Sequence, residues 1–524
     1  MPDTSSTGGA PDQRQNILLI VSDDHGYGDL GLRGSDPDVS TPHLDALAAS
    51  GRLYDNAYVT APICSPSRAG LIAGQYQERW GAHWFTDSAM PPQAVPSLAE
   101  LLGERGYRTG YFGKIHYGQD KPGDRACPPH HGFDTSFYGV AALSMGRLHY
   151  LHHSRAHKEG YGEAAKRHGV SPMWVGEGKE TWEVDCERHL TEEFVQRAID
   201  FVGRGSAATP RADGRTGAYS ATGADGGAGV DDATWSDAGA GLDDASAGSP
   251  FFAMVAFNAV HNFTWQLPQH ELDARGLPSH PDFDAETNDY LDWYDGAVEP
   301  NLENGRAYYL AQLEIMDREI GRLMAHLEET GQRENTVVVY MTDNGGSHCN
   351  YGRNTPLEGS KYTLYEGGVR TPLIISWPCA TEPGSVSKAL VSSLDLMPTF
   401  IGASGVPLGA EDVCDGIDFR DSMRDPEAPV HDVLHFDTGF QWAVRTRDWK
   451  LRFVDPESRA RASILQVEHT DIGSGMQLSP ATDDLAGLDE TRDVSAEHPE
   501  ALGHLQQLHA AWREEMEASA AHLA

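Results

Sequence analysis

Positive charge is scarce in this 524-residue chain: 40 Lys and Arg stand against 78 Asp and Glu, for a formal charge of −38. Only eight of those 40 are lysines. A polyanion is held by phosphate-neutralising cations, so this balance excludes nucleic acid as a partner. It equally excludes a polybasic membrane-surface anchor. The ordinary consequence of such charge is solubility. An anionic ligand would be repelled at long range, so any anion site must be built locally from cations. Long apolar runs are missing as well, and none approaches the length of a membrane span. The first 15 residues are polar and lack the apolar core of a signal peptide, so the expectation is a soluble cytoplasmic protein. Cysteine is sparse. Its 6 positions form no CxxC pair, which argues against both a zinc site and a disulfide framework.

Hydrophobic residues make up 39% of the chain and 11 are Trp, enough for a sizeable core. The apolar run ILLIV within Asn16–Val21 predicts a buried strand with Asp23 and Asp24 beyond its end. Thr41 and Pro42 predict an N-cap and first turn for a helix reaching Ala49. A loop over Thr60–Ser67 is expected to lead into a short helix from Arg68 to Ala73. Further helices are expected over Ser97–Arg105, Glu192–Val202 and Arg306–Glu329. Further strands are expected over Thr109–Phe112, Pro250–Phe257, Asn335–Thr342 and Thr371–Trp377. Strands alternating with helices predict an α/β fold: a large, mostly parallel sheet covered on both faces.

Residues 204–249 are rich in Gly, Ala, Ser, Thr and Asp and nearly free of aliphatic side chains. They predict a disordered insertion. The expected organisation is a flexible N-terminus over 1–15, a large α/β domain over 16–403 carrying that insertion, and a smaller α+β subdomain over 404–524. Short antiparallel strands are expected in that subdomain at His431–Asp437, Ala443–Arg447 and Lys450–Val454. A terminal helix is expected over Pro499–Ala518.

Ligands of such sheets gather beyond the carboxyl ends of the strands. Asp23-Asp24, Lys114-Ile115-His116, His261 and Asp343-Asn344 all fall at such places. Asp23, Asp24, Asp343 and the Asn344 amide are hard oxygen donors. They suit Ca²⁺, or less readily Mg²⁺, and disfavour zinc. Three clustered carboxylates would repel one another without a cation.

Cys64-Ser65-Pro66-Ser67-Arg68 resembles the Cys-x-Pro-x-Arg signature of the sulfatase family, in the alkaline phosphatase superfamily. Four further segments match that family in order: Val21–Asp29, Gly113–Gly118, Thr342–Gly346, and Gly359-Ser360-Lys361 through Glu366–Pro372. The resemblance covers roughly residues 15 to 400. It implies an alkaline-phosphatase-like sheet and a sulfuric ester hydrolase. It also implies that a maturation enzyme oxidises Cys64 to 3-oxoalanine (formylglycine), whose hydrate attacks sulfur. One Ca²⁺ is implied, held by Asp23, Asp24, Asp343, Asn344 and residue 64. Arg68, Lys114 and Lys361 are implied at the sulfate, where preorganised cations stabilise developing charge. Arg68 has two open roles, orienting the diol or facing sulfate. His116 is implied to assist the diol, and His261, with Lys361, to face the leaving oxygen. The family often has Pro-His where this chain has Val260-His261.

The implied partner is a sulfated small molecule or glycan. His83, Trp80, Trp84, His149, His152, His153 and His157 are candidates for a pocket rim, with core packing the competing reading. Two alternatives stay open: a phosphate or phosphonate ester hydrolase of the same superfamily, and a non-catalytic binder of sulfated glycans.

Overall fold

A computed structural model describes residues 14–118, 121–140, 148–165, 170–204, 248–281, 283–284, 286–409, 412–457, 472–482 and 489–523. The first 13 residues and residues 205–247 lie outside that set. The expected N-terminal tail and nearly all of the expected insertion therefore fall outside the described residues.

The centre is a ten-stranded sheet. From edge to edge its strands are Ser385–Ser387, Arg52–Tyr54, Leu373–Ser376, Thr336–Thr342, Asn16–Ser22, Phe251–Ala256, Arg108–Lys114, Thr135–Gly139, Met173–Glu177 and Glu180–Val184. The five from Thr336–Thr342 to Thr135–Gly139 run parallel. Ile17 through Val21 are fully buried, as expected of a strand covered on both faces. One apolar layer packs the long helix Gly305–Glu329 and the helix Leu190–Gly203 against one face. The other packs the helices Cys64–Ala73, Leu98–Glu104 and Leu396–Ala403 against the opposite face. The expected α/β class and covered sheet are thus observed.

The differences have local causes. Leu373–Ser376 is a strand, as expected, but it pairs antiparallel with Thr336–Thr342. The last two edge strands are also antiparallel additions. Glu180–Val184 is half exposed, so its apolar pattern is too weak to announce it. The helix expected from Arg68 begins instead at Cys64, four residues earlier. Pro66 lies in its first turn, where a missing N–H costs no helical bond.

The C-terminal region carries a four-stranded antiparallel sheet of Val433–Asp437, Gln441–Thr446, Trp449–Val454 and Gly475–Pro480. The fourth strand was not anticipated. The terminal helix runs Pro499–Leu523, longer than expected through an alanine-rich end. Among the described residues no helix is long and apolar enough to cross a membrane.

Candidate active site

Strand register brings the first acids together. Ser22 pairs with Thr342 at the carboxyl ends of two neighbouring parallel strands. Asp23-Asp24 and Asp343-Asn344 therefore emerge side by side, with Asp343 N–H donating to the Ser22 carbonyl at 3.1 Å. Asp24 takes a left-handed φ of 58° and donates its N–H to Asp343 Oδ1 at 3.3 Å. On the other side, Asp23 N–H donates to the Ala259 carbonyl at 2.8 Å, and Val260 N–H donates to the Asp23 carbonyl at 2.7 Å. This pair of bonds ties the His261 loop to the first acid. The next strand ends at Gly113-Lys114. A Cβ on Gly113, at φ 146°, would sit 1.9 Å from the Ala256 carbonyl oxygen, so only glycine lets this strand close on its neighbour.

Cys64 is the first residue of a ten-residue helix, all of it buried. Arg68 lies one turn on, on the same face. The positive end of the helix dipole is therefore at the Cys64 side chain, a setting that favours an anion. Gly74 ends the helix at φ 62°.

Three buried cations meet three buried carboxylates. Lys114 Nζ bonds Asp23 Oδ2. Arg68 Nε bonds Asp343 Oδ2 at 2.7 Å, with Arg68 Nη2 3.8 Å from Asp23. Lys361 Nζ lies 2.7 Å from Asp24 Oδ1 and 2.9 Å from Oδ2. His261 Nε2 is 3.6 Å from Asp24 Oδ2. Asn344 Nδ2 donates to Asp24 Oδ1 at 2.7 Å. Ligand-type atoms of Asp23, Cys64 and Asp343 lie within 4.8 Å of one another, and so do those of Asp23, Asp24 and His261. His116 is buried close enough to Lys114, Arg68 and Lys361 to feel their charge. All ten residues singled out in the sequence thus come together.

Burial and charge tune these groups. Burial, then Lys114, Arg68 and Lys361, hold His116 well below its ordinary pKa, which favours its neutral form. Burial also pushes the Cys64 thiol up, with Lys361 and Lys114 opposing. A buried thiol of raised pKa is a poor nucleophile as it stands.

A hard cation fits this donor set. Asp23 Oδ1 and Asn344 Oδ1 are buried oxygens with no hydrogen-bond partner, and such oxygens are costly unless something satisfies them. Carboxylate and amide oxygens are the donors that hard cations such as Ca²⁺ and Mg²⁺ take. Arg68 Nη1 and His116 Nδ1 are likewise buried without hydrogen-bond partners, as groups that face a ligand would be.

Sequence reasoning missed Asn350. Its Nδ2 donates to Asp24 Oδ2 at 2.7 Å, mirroring Asn344 on the other oxygen. It follows His348-Cys349 in a short helical turn, and no local pattern marks it. Several rim candidates are core instead. Trp84 is 4% exposed, with its ring 4.9 Å from that of Phe440, in an apolar cluster that includes Cys64. His149 and His153 are fully buried, and the His153 ring bonds the Ser171 and His149 carbonyls. Trp80, His83, His152 and His157 remain partly exposed.

A family model described as Sulfatase matches residues 15–406. Mouse (Mus musculus) arylsulfatase J is 27% identical over 476 residues, spanning 86% of this chain and 66% of that protein. The N-acetylgalactosamine-6-sulfatase of Canis lupus familiaris is 28% identical over 466 residues, spanning 85% of this chain and 72% of the relative. The crystal structure of Ps i-CgsB in complex with k-i-k-neocarrahexaose superposes with a TM-score of 0.71 at 25% identity, covering 96% of this chain and 93% of its own.

Proposed function

This chain belongs to the sulfatase family and is a sulfuric ester hydrolase, and we propose that it hydrolyses a sulfated carbohydrate through an oxidised Cys64. The observation that carries the reading is the buried meeting of Cys64 with Asp23 and Asp343, inside a cluster of three carboxylates each paired to a cation. The carbohydrate reading is supported by two similar proteins. One is named N-acetylgalactosamine-6-sulfatase, and the other was crystallised with a neocarrahexaose.

In this reading Cys64 is converted to formylglycine by a maturation enzyme, and the hydrate carries two hydroxyls. One attacks sulfur, forming the S–O bond to residue 64 as the bond to the sugar oxygen breaks. The other then loses its proton as the carbonyl re-forms and sulfate leaves. His116, neutral and buried, accepts a proton in this exchange. His261 donates one to the departing sugar oxygen. Arg68 and Lys114 face the sulfate oxygens. Lys361, held on Asp24, stands beside His261 at the leaving oxygen.

Asp23, Asp24, Asp343 and Asn344 would hold a Ca²⁺ ion. Bound there, it would act as a Lewis acid, adding two positive charges to a site whose three acids and three cations otherwise cancel. Release of inorganic sulfate from a panel of sulfated mono- and disaccharides, using matured enzyme with calcium, tests the reading. Release from at least one sugar is expected. Release from aryl sulfates alone would remove the carbohydrate, and phosphate release outpacing sulfate release would remove the sulfate specificity.

A further inference from the structure

Beneath the Lys361 loop lies a second buried charge cluster that the chemistry above does not use. Glu366 is fully buried at the start of a short helix, Glu366–Val369, five residues beyond Lys361. Its Oε2 accepts from Tyr58 Oη at 2.6 Å and lies 3.2 Å from Arg370 Nη1. Its Oε1 lies 2.8 Å from Lys450 Nζ and 3.8 Å from Arg445 Nε. Lys450 also reaches Glu490 Oε1 at 3.0 Å, and Glu490 Oε2 accepts the Glu366 backbone N–H at 2.6 Å. Lys450 and Arg445 stand on neighbouring strands of the C-terminal sheet, and Glu490 follows its last strand. The C-terminal sheet thus grips one residue of the catalytic loop by both its side chain and its backbone.

That loop is tied in turn to the segment after Asp343 and to the turn before Cys64. Lys361 N–H donates to the Gly346 carbonyl at 3.1 Å, and Gly345 N–H donates to the Gly368 carbonyl at 2.9 Å. Tyr362 N–H donates to the Pro62 carbonyl at 2.7 Å, just before the nucleophile. Gln441 Nε2, again from the C-terminal sheet, donates to the Tyr362 carbonyl at 2.7 Å. A shift at Glu366 would therefore strain the bonds that hold the loop around Lys361. The chain has only eight lysines, yet it places Lys450 here at 2% exposure. A buried ammonium is weak evidence of stabilisation, because its desolvation offsets its attraction. Its use has to be sought in what it fixes.

We propose that Lys450 is a positioning residue for the reaction: by bridging Glu366 and Glu490 it holds the 359–371 loop so that Lys361 stays on Asp24. The C-terminal sheet is then part of the catalytic apparatus without touching substrate. The proposal rests on the sulfatase reading above. If the wild type releases no sulfate, that reading fails first; if the wild type is active, the variants below address Lys450 alone.

The test is a double-mutant cycle on kcat with a sulfated sugar. Lys450→Met should lower kcat about tenfold, because a displacement near 1 Å at a catalytic group costs this much or more. Lys450→Arg, which keeps the charge, should recover most of the loss. In a Lys361→Ala background, Lys450→Met should change kcat less than about twofold, because its target is already gone. Should Lys450→Met fail to fold by circular dichroism, Tyr58→Phe replaces it. That change removes one bond to Glu366 without altering charge, and it should give a smaller loss that also vanishes in the Lys361→Ala background. Equal losses in both backgrounds, or no loss in the active wild-type background, overturn the proposal.

Discussion

Lys361 and Asp24 are separated by 337 positions, yet the lysine Nζ sits 2.7 and 2.9 Å from the two carboxylate oxygens, with both residues buried. Asp24 carries the densest set of contacts in the site. Asn344 and Asn350 donate to it, His261 stands 3.6 Å away, and its φ is left-handed. If Asp24 is a metal ligand, these donors would orient its carboxylate before the metal arrives.

Calcium removal should therefore lower activity and melting temperature together. A metal that binds only the folded site would contribute about 2.7 kcal/mol at a hundredfold excess over its Kd. Differential scanning calorimetry with and without a chelator checks this. Full activity after exhaustive chelation, with no metal by elemental analysis, contradicts it.

Asn350→Ala should weaken calcium binding by about tenfold, in line with the loss of other residues that orient metal ligands. Isothermal titration calorimetry reads this directly. Unchanged affinity would leave Asn350 a packing residue.

Five buried histidines should make the protein acid-labile. Burial lowers His131, His153 and His435 to about 4, and His189 and His509 to about 3. Each is neutral when folded and takes up a proton when unfolded, from the ordinary value of 6.5 downwards. The unfolded state thus binds more protons between about pH 6.5 and 4, so stability is full above that window and lost as pH falls through it. At pH 5 the loss is roughly 2 kcal/mol for each histidine. Urea midpoints at pH 7.5 and pH 5 should differ clearly, and equal midpoints would contradict the burial argument.

His261→Ala should harm a sulfated sugar more than nitrophenyl sulfate, by on the order of tenfold. A sugar leaves as an alkoxide and needs the proton, whereas a nitrophenolate does not. Lys114→Ala, acting on sulfate oxygens, should reduce both about equally. Equal losses for His261→Ala on the two substrates would remove its role as general acid.

The parallel core and its strand-end acids were legible because buried strands read as unbroken apolar runs, such as Ile17–Val21. The cluster of residues brought together at the strand ends was legible because they sit in short, dense segments around Cys64, Lys114, Asp343 and Lys361. What escaped lay in long-range geometry. The pairing direction of Leu373–Ser376 depends on how the chain returns, not on its composition. Asn350 acts through a partner 326 positions away. Trp84 and His149 carry the same side chains whether they line a rim or fill a core, and only packing decides between the two.

The most direct test of the account is the mass of the peptide carrying residue 64, measured across preparations made with and without a maturation enzyme and assayed for sulfate release. Conversion removes one sulfur and two hydrogens and adds one oxygen. The account predicts that turnover rises in proportion to the converted fraction and is absent from Cys64→Ala, with Cys64→Ser nearly inactive for want of the second hydroxyl. Full multiple turnover by enzyme whose residue 64 is entirely unmodified thiol would contradict it.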